Sequence, residues 1–226
     1  LLASTATGVA HAQERPAVSQ EAAEGNEIVV TAQKIEQRAS DVPITISALS
    51  NARMRELGVS DLDELSAYVP GLNIQEQSAN NPGIVIRGIT SDSGSAQQAA
   101  RVTLYYNGID ISRSRGAYQA VYDLDRVEVI KGPQATLFGT ASAVGAISMV
   151  SARPRAGFSG ELSGGIGNFA QRQLGGHLNL GSDVIAGRVA FEWKKRDGYV
   201  RNLSATQGDL YAQNQLGVRA SLRFTP

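Results

Sequence analysis

The C-terminal third of the chain alternates between apolar and polar residues along four long runs. In the first run, Phe158, Leu162 and Ile166 occupy even positions, and Ser159 and Glu161 occupy odd ones. A period of two sends successive side chains to opposite faces of a β-strand. The later runs place their apolar residues at Leu174, Leu178 and Leu180, then at Ile185, Val189, Phe191 and Trp193, and finally at Leu216, Val218, Ala220, Leu222 and Phe224. The pattern predicts four strands, each apolar on one face and polar on the other.

Two environments produce strands of this kind. One is a half-buried antiparallel sheet in a soluble sandwich, and the other is a transmembrane β-barrel with lipid outside and water or a plug inside. The runs are about 9 to 13 residues long, as tilted membrane strands are, whereas sandwich strands are usually nearer 5 or 6. The link at 181–183 is short and the link at 197–209 is long and polar. This asymmetry is typical of barrels and favours the barrel over the sandwich.

The preceding section gives shorter signals of both helix and strand. VPITISAL at 42–49 alternates like a strand, and either Ser47 or Ser50 can cap a helix that continues to Leu57 and ends at Gly58. Further strands are expected at LNIQ (72–75), GIVIRGI (83–89) and VTLYYNGID (102–110). The section is therefore expected to be a mixed α+β domain with its own core.

A second helix is expected directly after the first. Asp61 with Glu64 three residues later resembles a capping box, and Pro70-Gly71 would stop the helix. The predicted helix therefore spans DLDELSAYV at 61–69.

The N-terminal section is polar and lacks an apolar period. Ala10-His11-Ala12 has the A-x-A form of a signal-peptide cleavage site, which predicts export and cleavage after Ala12. Within the polar leader, EIVVT at 27–31 is a β-prone island. The chain is thus divided into a signal-peptide remnant (1–12), a flexible leader (13–41), an α+β domain (42–153) and four strands (154–226).

Composition excludes several classes of function. Lys plus Arg equal Asp plus Glu at 21 each, so the net charge gives no reason to expect nucleic acid as a partner. The chain has no Cys and two His, so it offers neither a thiolate nucleophile nor a Cys or His metal cluster. The G-x-G-x-x-A at 165–170 lies in a strand pattern and lacks the helix that a dinucleotide site needs. We expect no enzyme activity, metal or cofactor.

Residues 123–154, DLDRVEVIKGPQATLFGTASAVGAISMVSARP, resemble the end of the plug domain of TonB-dependent outer-membrane receptors. Three further segments resemble motifs of that family in the family order. They are EIVVTA at 27–32 (a TonB box), GIVIRGI at 83–89 (the internal IRG strand) and LYYNGIDISRS at 104–114 (the V-x-G strand and apical loop). The resemblance implies an α+β plug domain followed by the first antiparallel strands of a transmembrane β-barrel of about 22 strands.

The resemblance also implies a location and a larger protein. Four strands cannot close around a plug, and an open sheet edge in lipid leaves backbone groups unpaired at several kcal/mol each. We therefore expect the chain to be part of a longer receptor in the outer membrane of a Gram-negative bacterium, in contact with membrane lipid.

Two functional contacts follow from the resemblance. Arg87 and Lys131 are expected to pair with acidic residues on the inner wall of the barrel and to hold the plug in place; pairing within the plug is the alternative. The C-terminal domain of TonB, with its inner-membrane energising complex, is expected to bind Glu27, Ile28, Val29, Val30, Thr31 and Ala32. Because this island lies in a polar leader, we expect its valines to serve no core and to be free for strand addition.

The function that the resemblance implies is active uptake of a scarce solute. A ferric siderophore is expected first; cobalamin, haem or an oligosaccharide, and a surface-sensing role, are the alternatives. Guanidinium groups suit anionic chelates. The candidate ligand contacts on the plug are Gln97, Gln98, Arg113, Arg115, Tyr118 and Gln119.

The sequence departs from the family pattern at four positions. Ala135 and Val144 stand where Gly is common, Ser148 where Asn is common, and Lys131 where Arg is more usual. If the backbone at Val144 required a positive φ, a β-branched residue would be strained there.

Overall fold

The computed structural model describes residues 28–31, 35–78, 81–90, 101–112, 121–134, 142–203 and 208–226. The strands in these ranges are β1 (Val29–Val30), β2 (Gln37–Arg38), β3 (Thr45–Ser50), β4 (Leu72–Ser78), β5 (Asn81–Ile86), β6 (Ile89–Thr90), β7 (Val102–Tyr106), β8 (Ile109–Asp110), β9 (Leu124–Lys131), β10 (Gly145–Ser151), β11 (Gly157–Gly167), β12 (Gln171–Gly181), β13 (Ile185–Arg196) and β14 (Gln213–Phe224). Helix α1 spans Asn51–Glu56, and 3₁₀ helices span Ala39–Asp41 and Asp63–Ala67. None of the helices described has the length and apolar character that a membrane crossing requires.

A five-stranded mixed sheet organises the first domain, which we define as residues 42–153. Its strand order is β3-β9-β10-β7-β8, in which β10 and β7 run parallel and the other neighbours run antiparallel. Strands β4, β5 and β6 form a separate antiparallel sheet. The α+β character expected from the sequence is confirmed.

Strand β9 is the centre of this domain because both of its faces are buried. Val127 and Val129 face the larger apolar cluster, which includes residues of β4, β5 and the short helices. Ile130 faces a smaller cluster that contains Val30 from the leader and Val42 at the start of the domain. Glu128, on the same face as Ile130, is fully buried. The alternation of β9 therefore places one carboxylate under the leader.

The first predicted helix is present, with one of the two predicted N-cap serines at its start and the predicted glycine after its end. The Oγ atom of Ser50 accepts a hydrogen bond of 3.3 Å from the backbone N–H of Arg53, which makes Ser50 the N-cap. Gly58 follows the helix with a φ of +70°, a conformation that glycine adopts without steric cost.

The second predicted helix is much shorter than expected. Only Asp63–Ala67 is helical, and as a 3₁₀ helix. The carboxylate of Glu64 does accept the backbone N–H of Asp61 at 3.0 Å, so half of the capping box forms. The carboxylate of Asp61 instead binds Lys194, so it leaves the helix start uncapped. Pro70 disfavours the helical conformation at the residue before it, which limits the other end.

Two segments predicted as continuous strands are hairpins. GIVIRGI turns at Arg87-Gly88 (φ of 52° and 80°), and VTLYYNGID turns at Asn107-Gly108 (φ of 50° and 81°). Two consecutive residues with positive φ form the tight turn that matches the twist of paired strands. The Asn-Gly pair is itself a known hairpin signal. Arg87 and Asn107 therefore lie in turns at the ends of paired strands and not in the middle of a strand.

The last four strands form a separate antiparallel sheet, which we call the strand wall (β11–β14). Its strands are 11 or 12 residues long, as the alternation predicted. The apolar residues of the alternation lie exposed on one face; they include Phe158, Leu162, Ile166, Leu178, Leu180, Leu216, Val218, Leu222 and Phe224. The opposite face carries polar residues; among the buried ones, Lys194 binds the first domain and Asn179 binds the linker that follows it.

Val144 does not have the strained backbone that the family pattern raised as a possibility. It has no positive φ, and its N–H donates to the carbonyl of Arg101 at 3.0 Å. The close approach falls at Gly145, where a Cβ would lie 2.4 Å from the carbonyl oxygen of Ile130. The substitution at Val144 is therefore accommodated without strain.

Candidate functional site

The leader segment 28–31 is docked on the first domain. Strand β1 pairs with β2 through Val29 opposite Arg38 and Val30 opposite Gln37. Val30 is completely buried in the smaller apolar cluster, whereas Val29 is 45% exposed. The expectation that these valines serve no core was wrong for Val30, because alternation in a two-residue strand turns Val30 toward the sheet and leaves Val29 outside the cluster.

The contact between the leader and β9 is polar as well as apolar. The backbone N–H and the Oγ1 of Thr31 donate to Oε1 of Glu128 at 2.8 and 3.1 Å. Arg126 donates to the same oxygen at 2.7 Å and to Oγ1 of Thr31 at 3.3 Å. The other carboxylate oxygen of Glu128 is buried and has no hydrogen-bond partner among the described residues. The docked leader therefore covers a carboxylate that is only half satisfied, and such a group is costly to bury.

Arg87 and Lys131 lie together at the far end of β9. A guanidinium nitrogen of Arg87 lies 4.0 Å from the position that a Cβ on Gly132 would take. The ammonium of Lys131 donates to Oγ of Ser47 at 2.9 Å. Burial, and then the charge of Arg87, lower the pKa of Lys131 below its usual value. Within the described ranges no carboxylate forms an ion pair with either cation.

The first domain binds the strand wall most extensively through Asp123. The side chain of Asp123 is 7% exposed, and both of its oxygens accept hydrogen bonds from Nε of Arg188 at 3.1 and 3.0 Å. Arg219 donates to the same carboxylate and to the carbonyl oxygen of Asp123, the latter at 2.6 Å. The ring of His177 lies 3.9 Å away. Three neighbouring strands of the wall therefore meet at one carboxylate.

Tyr122 extends this contact on β14. A Cβ built on Gly217 would lie 2.9 Å from the ring of Tyr122, so the ring occupies space that only glycine leaves open. The guanidinium of Arg219 lies 5.3 Å from the centre of the same ring and donates to the hydroxyl of Tyr106 at 2.6 Å. A cation over an aromatic face is attracted to it. We call this group, formed by Tyr122 and Asp123 with Arg188, Gly217 and Arg219, the anchor.

Two further ion pairs join the domain and the wall. Lys194 binds Asp61, and Arg55 binds Glu161. Lys194 is nearly fully buried, and burial raises the pKa of Asp61 even though Lys194 donates to it. Most ion pairs between the domain and the wall thus have the carboxylate on the domain and the cation on the wall. The pairs expected for Arg87 and Lys131 have the cation on the domain and the carboxylate on the barrel. These wall residues were not selected from the sequence; charge on the polar face of the alternating strands is the signal that would have found them.

The linker between the two units is also fixed to the wall. Asn179 accepts the N–H of Arg155 and donates to its carbonyl, both at 2.9 Å. Between the domain and the wall lies a cavity of about 400 Å³, bordered by Arg55, Asp123 and Glu161 among other polar residues. The interface therefore relies on hydrogen bonds and ion pairs around a polar space.

The remaining candidate residues lie outside the described ranges. These are Gln97, Gln98, Arg113, Arg115, Tyr118 and Gln119 of the expected ligand site, and Glu27 and Ala32 of the expected TonB contact. The described residues contain no group of three His, Cys, Asp or Glu side chains arranged to hold a metal ion.

Comparison with known proteins gives consistent matches. The model of the TonB-dependent Receptor Plug Domain matches residues 38–146. The pesticin receptor of Yersinia pestis is 32% identical over 206 residues, covering 88% of this chain and 30% of that receptor. The vitamin B12 transporter BtuB of Vibrio vulnificus is 24% identical over 216 residues, covering 91% of this chain and 33% of the transporter. The crystal structure of the ferric yersiniabactin uptake receptor FyuA from Yersinia pestis is 27% identical and superposes with a TM-score of 0.74, over 83% of this chain and 30% of FyuA. The chain spans about a third of the length of these relatives.

Proposed function

The chain belongs to the TonB-dependent receptor family, and on that premise we propose that it takes part in TonB-driven uptake of a solute across the outer membrane of a Gram-negative bacterium. The observation that carries the proposal is the two-sided strand wall. One face exposes apolar side chains, and the other binds the plug domain through buried ion pairs. Lipid outside and a polar plug inside is the arrangement of a closed transport barrel.

The solute that we propose is a ferric siderophore. Similarity to the ferric yersiniabactin uptake receptor supports this class. The match to the vitamin B12 transporter makes cobalamin the second candidate. Gln97, Gln98, Arg113, Arg115, Tyr118 and Gln119 are proposed as plug contacts for the solute.

Uptake by the intact receptor tests the solute class. Cells lacking their own siderophore receptors would express it and be given a panel of ferric siderophores or labelled cobalamin. We expect accumulation of iron from at least one chelate, and loss of that accumulation when TonB is deleted. Uptake of cobalamin alone would contradict the siderophore proposal, and uptake independent of TonB would contradict the mechanism.

The TonB contact that we propose is Glu27–Ala32. Extended segments of this kind are captured by strand addition through main-chain hydrogen bonds. In the docked state β1 is paired with β2 and Val30 is buried, so TonB would need the segment to leave the plug first. The half-satisfied carboxylate of Glu128 beneath it favours a contact that can open, because water would satisfy the remaining oxygen.

Cysteine crosslinking locates the contact. The chain has no cysteine of its own, so in an intact receptor whose other cysteines are replaced, single cysteines at 27–32 can be paired with a single cysteine in the TonB C-terminal domain. We expect crosslinks along 27–32 that increase when solute is added. Asp183→Cys, in the exposed link between β12 and β13, is the matched control. Equal crosslinking at Asp183 would show that the contact is not specific.

A further inference from the structure

We propose that the anchor is the point at which the plug stays attached to β12–β14 throughout transport, so that the solute passes on the opposite side of the plug. This inference rests on the proposed uptake function. It concerns which contacts persist when the plug moves.

The first argument is the chemistry of the carboxylate. Asp123 accepts from both Arg188 and Arg219 while remaining almost fully buried. Charge-assisted bonds from planar guanidinium groups are the strong ones, and separating a buried pair leaves uncompensated charges. The pair between Arg55 and Glu161 is different, because these side chains are 58% and 34% exposed. Water can replace that pair, whereas it reaches the anchor poorly.

The second argument is shape. The ring of Tyr122 fills the space above Gly217, and Arg219 on the next inward position of β14 covers the ring. Tyr122 and Asp123 are consecutive, so one short segment binds both β13 and β14. Such a contact sets the position of the plug along these strands as well as its distance from them.

The third argument is location along β9. The leader docks at Arg126 and Glu128, and Arg87 and Lys131 lie at the end of the strand. From Leu124, the residue after Asp123, to Lys131 the strand extends by about 23 Å at a rise near 3.3 Å per residue. The anchor therefore lies far from the two cations that have no carboxylate partner in the described part of the chain. A plug held at one end of β9 can separate from the barrel at the other.

Crosslinking within one protein tests this inference. The variant Tyr122→Cys with Gly217→Cys, in the intact receptor, would be joined by a short bis-maleimide reagent. The readout is energised iron uptake with and without crosslinking of the same protein. We expect the two rates to agree within twofold. Tyr106→Cys with Arg219→Cys joins the same two surfaces and serves as a second pair if the first variant fails to assemble.

The comparison variant locks the leader instead. Val29→Cys and Arg38→Cys lie directly opposite in an antiparallel pair, where Cα separations of 4.5–5.5 Å suit a disulfide. Oxidation of this variant should reduce uptake at least tenfold, with recovery on reduction. Loss of uptake on crosslinking the anchor would overturn the inference. Unchanged uptake with the locked leader would instead contradict the proposed TonB contact and leave the anchor supported.

Discussion

Asp123 has a backbone φ of 48°, a conformation that costs most residues other than glycine about 1 to 2 kcal/mol and costs aspartate less. The residue persists in this state because its carboxylate and its carbonyl both accept from Arg219, and Ala152 donates to the same carbonyl at 3.0 Å. Strain at a single residue is thus balanced by hydrogen bonds that orient Tyr122 and Asp123 toward the wall. The partners of such a residue decide its conformation, so local propensity could not predict it.

Gly217→Ala should weaken the packing of the Tyr122 ring against β14. The new Cβ would lie 2.9 Å from the ring, and overpacking of this kind costs about 1 to 3 kcal/mol. The measurement is thermal unfolding of the purified intact receptor. Gly187→Ala is the control, because its Cβ would have no neighbour nearer than 3.9 Å. Equal stability of the two variants would contradict the close contact, and adding Tyr122→Leu to Gly217→Ala should restore stability.

Arg87→Gln with Lys131→Gln should make the intact receptor leakier to large antibiotics while surface expression stays unchanged. Glutamine removes each charge and keeps most of the side-chain length, so the loss reports on pairing with acidic residues of the barrel. Susceptibility of cells to a large antibiotic is the measurement. Arg53→Gln is the control, since Arg53 is 59% exposed and pairs with its helix neighbour Glu56. Unaltered permeability would mean that these cations act within the plug.

At the scale of the element, regular alternation made the wall strands predictable and tertiary contacts made the leader unpredictable. A period of two over 11 or 12 residues specifies a strand and its faces. The docking of Val30 depends on a two-residue strand and on a bond between Thr31 and Glu128, which are 97 residues apart in sequence. The hairpin at Arg87-Gly88 was missed because its first turn residue is not a typical turn former.

Val29→Pro should abolish energised uptake and leave solute binding at the cell surface within about twofold of the unmodified receptor. Proline removes the N–H that strand addition requires and is poorly tolerated in a paired strand. Val29 is chosen because its side chain is half exposed, whereas replacing the buried Val30 would also disturb the core. Val29→Thr keeps the N–H and is the control. Uptake that survives the proline substitution would remove the TonB contact from this segment.

At the scale of the whole molecule, the two units bury their apolar residues in different ways. The plug domain encloses two apolar clusters, whereas the wall leaves a row of large apolar side chains exposed. Large exposed apolar patches and unpaired strand edges promote association in water. The sequence pattern predicted this contrast, but the pairing of Asp123 with two strands depended on how the units face each other.

Residues 13–153 should therefore be soluble and monomeric in buffer without detergent, and residues 1–226 should aggregate. Size-exclusion chromatography of the two proteins at equal concentration is the measurement. Addition of detergent should recover the longer protein. A monomeric longer protein in plain buffer would favour the soluble sandwich that the alternation also allowed.

The pairing of β1 with β2 has a mechanical consequence. The carbonyl of Ile28 accepts the N–H of Ala39 at 3.0 Å, at the end of the ladder where the chain enters and leaves. A pull on the N-terminal side, with Ala39 held, loads this hydrogen bond first. The remaining hydrogen bonds between β1 and β2 then break one after another, which requires less force than breaking all of them together. Once straightened, the 14 residues from 28 to 41 span at most about 46 to 50 Å. A motor could therefore travel that distance before tension reached β3 and the folded core.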